Sequence, residues 1–221
     1  QANLDSANLA MEKLKADDPS SIAQAQNSLD EAKESKQEAQ DNLVKSYDDG
    51  FNSVSNAFLD LPSIMTGLND LLYSSVLSTG GNQQNIDFYT DQANAATNDL
   101  TAIQYRDSAN SAYSVARTAY DQNFNDYKSA GRYSDSATVE SHINETYETD
   151  KKIAEAVKSA NNLIQFYKDK MTQKGMRPSA TADTHLASLS SYTSKTNSQL
   201  SSLLSAKNSI YNYKKSDIGD G

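Results

Sequence analysis

A chain of 221 residues with 20 Lys and Arg against 29 Asp and Glu carries a formal charge of −9. That charge disfavours a nucleic-acid role, because phosphate binding runs on Lys and Arg displacing counterions. The absence of cysteine removes disulfides, thiol catalysis and thiolate metal ligation.

Only 37% of residues are hydrophobic, and 8 Gly and 3 Pro interrupt the chain. The apolar residues are nonetheless spaced rather than scattered, and good helix formers abound, so the chain is predicted to be all-α. In chain order, Leu4, Ala7, Met11 and Leu14 recur at heptad spacing. Asp-Asp-Pro-Ser-Ser then breaks the run, with Asp18 suited to an N-cap and Pro19 to a first helical position. Ile22, Ala25, Leu29, Ala32, Ala39 and Leu43 resume the seam, with Lys36 in one core register. Residues 1–46 therefore read as a coiled-coil hairpin stalk. Its candidate partner seam is Leu4, Met11, Leu14, Ile22, Leu29 and Leu43.

From Tyr47 the stripe becomes aromatic and aliphatic: Phe51, Val54, Phe58, Leu61, Met65, Leu68 and Leu72, shifted by one residue. Such a shift is expected where a coiled coil passes into a larger bundle. Pro62 predicts a kink, eased by Ser63 and Gly67. Ser78–Asn85 reads as a loop in which Gly80 and Gly81 end the helix. One long helix is expected from Ile86 to Lys128, facing inward through Tyr89, Ala96, Leu100, Ile103 and Tyr113 among others. A loop at Ala130–Ala137 offers a cap between Ser134 and Ser136. The next helix carries Val139, Ile143, Tyr147, Val157, Ile164 and Met171. Gly175 is placed as a C′ residue with Pro178 beyond it, and a last helix carries Leu186, Leu189, Leu200, Leu203 and Ile210. Long helices on short loops pack against their neighbours in opposite directions. Residues 47–215 are thus expected to form an antiparallel four-helix bundle, followed by a flexible tail at 216–221.

Catalytic patterns are scarce. His142 and His185 are the only histidines, and His142 precedes Glu145 in the order His-x-x-Glu, the reverse of the di-iron bundle motif. His142 reads as a surface residue and His185 as a capping or packing one. No phosphate-binding glycine loop or nucleophile elbow appears. No metal, no cofactor and no catalytic residue is assigned, and the protein is predicted not to be an enzyme. Among 13 tyrosines, Tyr113, Tyr120 and Tyr127 fall seven apart, with Phe124 on the same side. That face is either ordinary bundle packing or the wall of an aromatic ligand cavity between helices.

The opening 43 residues, with Met11, Leu14, Asp18, Pro19 and then Ile22-Ala23-Gln24-Ala25-Gln26, resemble the helical hairpin of membrane-fusion proteins. These are the periplasmic adaptors of bacterial efflux pumps and type I secretion systems. The resemblance implies a hairpin set between two halves of a lipoyl-like β-domain, docking on partner helices without catalysis. It also implies an extracytoplasmic location, with membrane anchoring supplied elsewhere in the full-length protein. Gln1 opens mid-pattern with no signal-peptide character, as in a segment cut from such a hairpin. The aromatic-rich stretch from Tyr47 to Lys215 departs from a plain hairpin and would be an elaboration at the stalk's far end. Protein partners are expected, either transporter components or further copies of the chain. The competing expectation is a receptor's extracellular sensor bundle, binding a small ligand between helices and passing a helix shift through the stalk.

Overall fold

The computed structural model describes residues 2–14, 19–97, 100–129, 131 and 134–219. They form six helices: α1 (Ala2–Leu14), α2 (Pro19–Tyr73), α3 (Asn85–Thr97), α4 (Thr101–Ser129), α5 (Ser136–Gln173) and α6 (Ala180–Gly219). The fold is all-α, a helical bundle whose core lies among α2, α4, α5 and α6. Pro19 is the first residue of α2, where its fixed φ and missing N–H are harmless. The acidic break before it, Asp18 included, lies outside the described residues.

Side-chain pairs set the course of the chain. At one end Tyr47 of α2 meets Glu140 of α5, and Lys214 of α6 meets the same carboxylate. Towards the other end Tyr73 touches Tyr113 of α4, and Tyr89 of α3 touches Tyr167 of α5. α2 and α5 therefore leave from one end, and α4 and α6 return to it. The core filling between them is aliphatic, with Val54, Leu61, Ile64, Met65, Leu68 and Leu72 of α2 all fully buried.

Local chemistry fixes the helix ends. Asp135 is the N-cap of α5, its carboxylate accepting from the Thr138 backbone N–H at 2.9 Å and from the Thr138 hydroxyl at 2.8 Å. These bonds to the charged form hold the Asp135 carboxyl below its usual range. α5 ends in a Schellman motif. Gly175, at φ +67°, donates to Thr172 O, and Met176 N–H reaches Met171 O, each at 2.9 Å.

α2 stops at Tyr73, five residues before the predicted loop at Ser78. Asn85, fully buried, supplies the reason. Its amide donates to Leu71 O at 3.1 Å and to Ser74 Oγ at 2.9 Å, while its Oδ1 accepts from Leu77 N–H at 3.2 Å. One side chain thus satisfies carbonyl and amide groups that the end of α2 exposes. Gly80 and Gly81, at φ +97° and +72°, turn the connection rather than end the helix.

A further expectation is corrected. The single helix from Ile86 to Lys128 is two helices, since α3 ends at Thr97 and Leu100 lies in a turn before α4. Leu100, expected to face inward, is 71% exposed. Thr, Asn and Asp, the residue types that the sequence carries at 97–99, all have low helix propensity. Gly67 also makes room for a ring. α2 runs through Pro62 as one helix, and a Cβ at position 67 would stand 2.0 Å from Tyr192 Oη and 2.7 Å from its Cζ.

Gly67→Ala should therefore displace Tyr192 and destabilise the chain by about 1 kcal/mol, the lost ring packing outweighing the gain in helix propensity. In the Tyr192→Ala background the same substitution should become stabilising. Thermal melts of the four variants check this, and equal effects in both backgrounds would remove Tyr192 from the explanation.

Candidate functional site

The aromatic face lies between α2 and α4. Tyr113 and Tyr120 are buried, and Phe124 and Tyr127 half-buried. Tyr120 stacks on Phe124 with centroids 5.7 Å apart, and Phe58 of α2 stacks on Tyr127 at 4.4 Å. Phe51 and Phe124 extend the cluster through Tyr127 and Phe58. Two hydroxyls are satisfied at its margin: Tyr113 donates to Asn69 Oδ1 at 3.0 Å and Tyr73 to Asn110 Oδ1 at 2.7 Å. Burial pushes both phenols up, Tyr73 to about 12. Rings from α2 thus pack on the face that the tyrosine spacing brings together.

The seam residues are distributed differently. Leu29 is only 5% exposed, yet it lies outside the central core cluster. Ile22, Leu43 and Met11 are half-buried, Leu4 is exposed, and the Leu14 side chain lies outside the described residues. Among the described elements, α1 packs on α2 alone. Beyond that cover, every residue of α2 from 30 to 38 is exposed, Ala32 and Lys36 of the seam included. Pairs one turn apart support this bare stretch: Lys33 with Asp30 at 3.3 Å and Gln37 with Asp41 at 2.9 Å, each worth a few tenths of a kcal/mol.

α2 crosses from this stretch into the bundle without a break. A three-helix clasp marks the passage. Tyr47 donates to Glu140 Oε1 at 2.6 Å, and Lys214 Nζ lies 2.9 Å from the same oxygen. Burial and the Glu140 hydrogen bond push the Tyr47 phenol up to about 12. The two hydrogen bonds outweigh the desolvation of Glu140 and hold its carboxyl below the usual range.

No family model matches the chain, and no curated protein or solved structure matches it. Its function is therefore read from the geometry.

His142, expected on the surface, is 7% exposed. It precedes the core residue Ile143, and α5 packs on three long helices, so a flank that would be wet in a two-helix pair is covered here. His185 is half-buried, with Nδ1 2.9 Å from the Tyr89 hydroxyl and the two rings edge to face. Burial lowers its pKa, and Nδ1 and the phenol share one hydrogen bond whose direction follows the imidazole tautomer.

Asp150 is the residue that sequence reading missed. It is 0% exposed, neither carboxyl oxygen meets a hydrogen-bonding group among the described residues, and burial pushes it from 3.8 to about 8. One turn earlier on α5, the buried Thr146 hydroxyl lies 3.4 Å from Asn123 Oδ1 of α4. Carrying the 3–4 spacing through Ile143, Thr146, Asp150, Ile153 and Val157 would have placed it inside. Among the described residues, no group of three or more His, Asp or Glu is placed to hold a metal ion. None of the described helices is long and apolar enough to cross a membrane.

Proposed function

We propose that this chain is a non-catalytic, extracytoplasmic helical domain of the membrane-fusion, periplasmic-adaptor type. On this reading it is an antiparallel four-helix bundle borne on a coiled-coil stalk. It mediates protein–protein contacts within an efflux or secretion assembly, and the full-length protein is anchored in a membrane.

The observation that supports this reading is the bare stretch of α2. Residues 30–38 leave the bundle exposed on all sides, although they belong to a heptad pattern whose small Ala32 and Ala39 suit close helix approach. A helix this polar is stabilised chiefly by tertiary packing, so the alanine seam reads as a docking strip for a partner helix. The aromatic face, already occupied by rings of α2, serves the bundle's own cohesion.

The deciding experiment is to read the gene on both sides of the codons for Gln1 and Gly221. Two β-rich, lipoyl-like halves and one N-terminal membrane anchor are the expected result. Membrane-spanning helices on both sides would make the domain a receptor's sensor and overturn the adaptor reading. Flanks of neither kind would leave a free-standing scaffold, which overturns it equally.

A further inference from the structure

The heptad seam of α2 is covered at two places and bare between them. Leu29, 5% exposed, closes the part on which α1 packs, and Leu43 is half-buried where α2 enters the bundle. The two leucines stand two heptads apart, about 21 Å along the helix. Between them every residue from 30 to 38 is exposed, Ala32 and Lys36 of the seam included, and Ala39 is half-buried.

Charge is sorted around this gap. At about 100° per residue, Ala32, Lys33, Ala39 and Gln40 lie within about 60° of Lys36 around the helix axis. Asp30, Glu31, Glu34, Glu38 and Asp41 all lie about 120° or more away from it. The seam side therefore carries two ammonium groups and no carboxylate, although acids outnumber lysines five to two across the stretch. Lys33 pairs with Asp30 at 3.3 Å, but both side chains are more than half exposed, and such a pair yields to a better partner at little cost.

The lysines take their meaning from the seam around them. Alanines stand at the core positions before and after Lys36, so a facing helix can approach closely and seat large aliphatic side chains against them. Its flanking positions then come within reach of Lys33 and Lys36, where Asp or Glu is attracted and Lys or Arg repelled. A second copy does not fit. Joined seam to seam, two strips would bring four ammonium groups together with no carboxylate between them. We infer that the gap between Leu29 and Leu43 docks an acidic amphipathic helix of a partner chain, its aliphatic side chains against Ala32 and Ala39 and its carboxylates against Lys33 and Lys36. This deepens the docking strip proposed above and rests on it, but not on the adaptor's flanking domains.

The probe is a fluorescein-labelled helical peptide of three heptads, with Leu at its core positions and Glu at the flanking ones. A twin carries Lys in place of Glu. Fluorescence anisotropy should show the Glu peptide binding at least tenfold tighter than its twin at low salt, with the ratio shrinking as salt rises. Non-specific attraction to a chain of net charge −9 would favour the Lys peptide instead. Lys33→Glu with Lys36→Glu should reverse the order. Lys151→Glu with Lys158→Glu, the same charge change on exposed lysines of α5, should leave it intact. Ala32→Gln with Ala39→Gln should weaken the Glu peptide at least fivefold while circular dichroism stays native.

A preference for the Lys peptide, binding of neither, or indifference to the Lys33 and Lys36 swap would each overturn the inference. So would a dimer in sedimentation velocity that the Ala32 and Ala39 variant dissociates, since a second copy would then be the occupant. The adaptor reading fails separately, on the gene flanks: a strip that refuses the acidic helix leaves lipoyl-like flanks standing.

Discussion

Replacing Asp150 with Asn should raise the melting temperature at pH 7 and leave it nearly unchanged at pH 4. The carboxyl is fully buried, and its pKa rises from 3.8 to about 8 on folding. Between those values the folded chain keeps a proton that the unfolded chain releases. The contribution of Asp150 to stability is therefore complete below pH 3.8 and is lost as pH rises towards 8. At about 1.36 kcal/mol for each pH unit, the loss by pH 7 approaches roughly 4 kcal/mol as an upper bound. Asn keeps the shape and removes the ionisation, but its amide also needs partners, so a gain of about 2 kcal/mol is expected. In a chain of this length that corresponds to roughly 4–8 °C. Melts of both proteins from pH 4 to 8 measure it. Curves that stay parallel over the whole range would show that Asp150 titrates in water, against its placement in the core.

Tyr120→Ala should have the opposite and larger effect. Tyr120 is 7% exposed and stacks on Phe124, which in turn meets Phe58. Truncation removes the stacking partner and leaves a cavity between α2 and α4, so a loss of about 3 kcal/mol or more is expected. Tyr120→Phe, which keeps the ring, should melt close to the parent. The pair of variants separates the two roles that the tyrosine spacing allows. A packing ring costs stability when removed, whereas a ligand-lining ring costs binding and leaves the melting temperature alone. An alanine variant that melts like the parent would reopen the cavity interpretation.

The helices themselves were legible because Leu, Ile, Val and Ala recur every three or four residues over long spans, and Asp135 and Gly175 are strong end signals. The break between α3 and α4 escaped because Ala96, Leu100 and Ile103 continue the same spacing across it. Periodicity alone does not register that Thr97, Asn98 and Asp99 lower helix propensity in between. The early end of α2 escaped for another reason. It depends on Asn85, twelve residues beyond Tyr73, and a capping side chain supplied from the next helix leaves no local mark. Asp150 and His142 were hidden by their chemistry, since a polar residue at a core register is read by default as a wet one. Gly67 shows a third kind of concealment: its meaning lies in Tyr192, on the far side of the chain.

The uninterrupted course of α2 has a mechanical consequence. At about 1.5 Å per residue its 55 residues make a rod roughly 80 Å long. About 40 Å of that length extends beyond Tyr47, where Glu140 and Lys214 hold it to two other helices. The clasp is then a fulcrum. A tilt of about 10° there would carry the far end of the arm through roughly 7 Å, more than one helical turn of travel. A load applied at the far end of the arm would reach the clasp as leverage, with the helix unbroken between them.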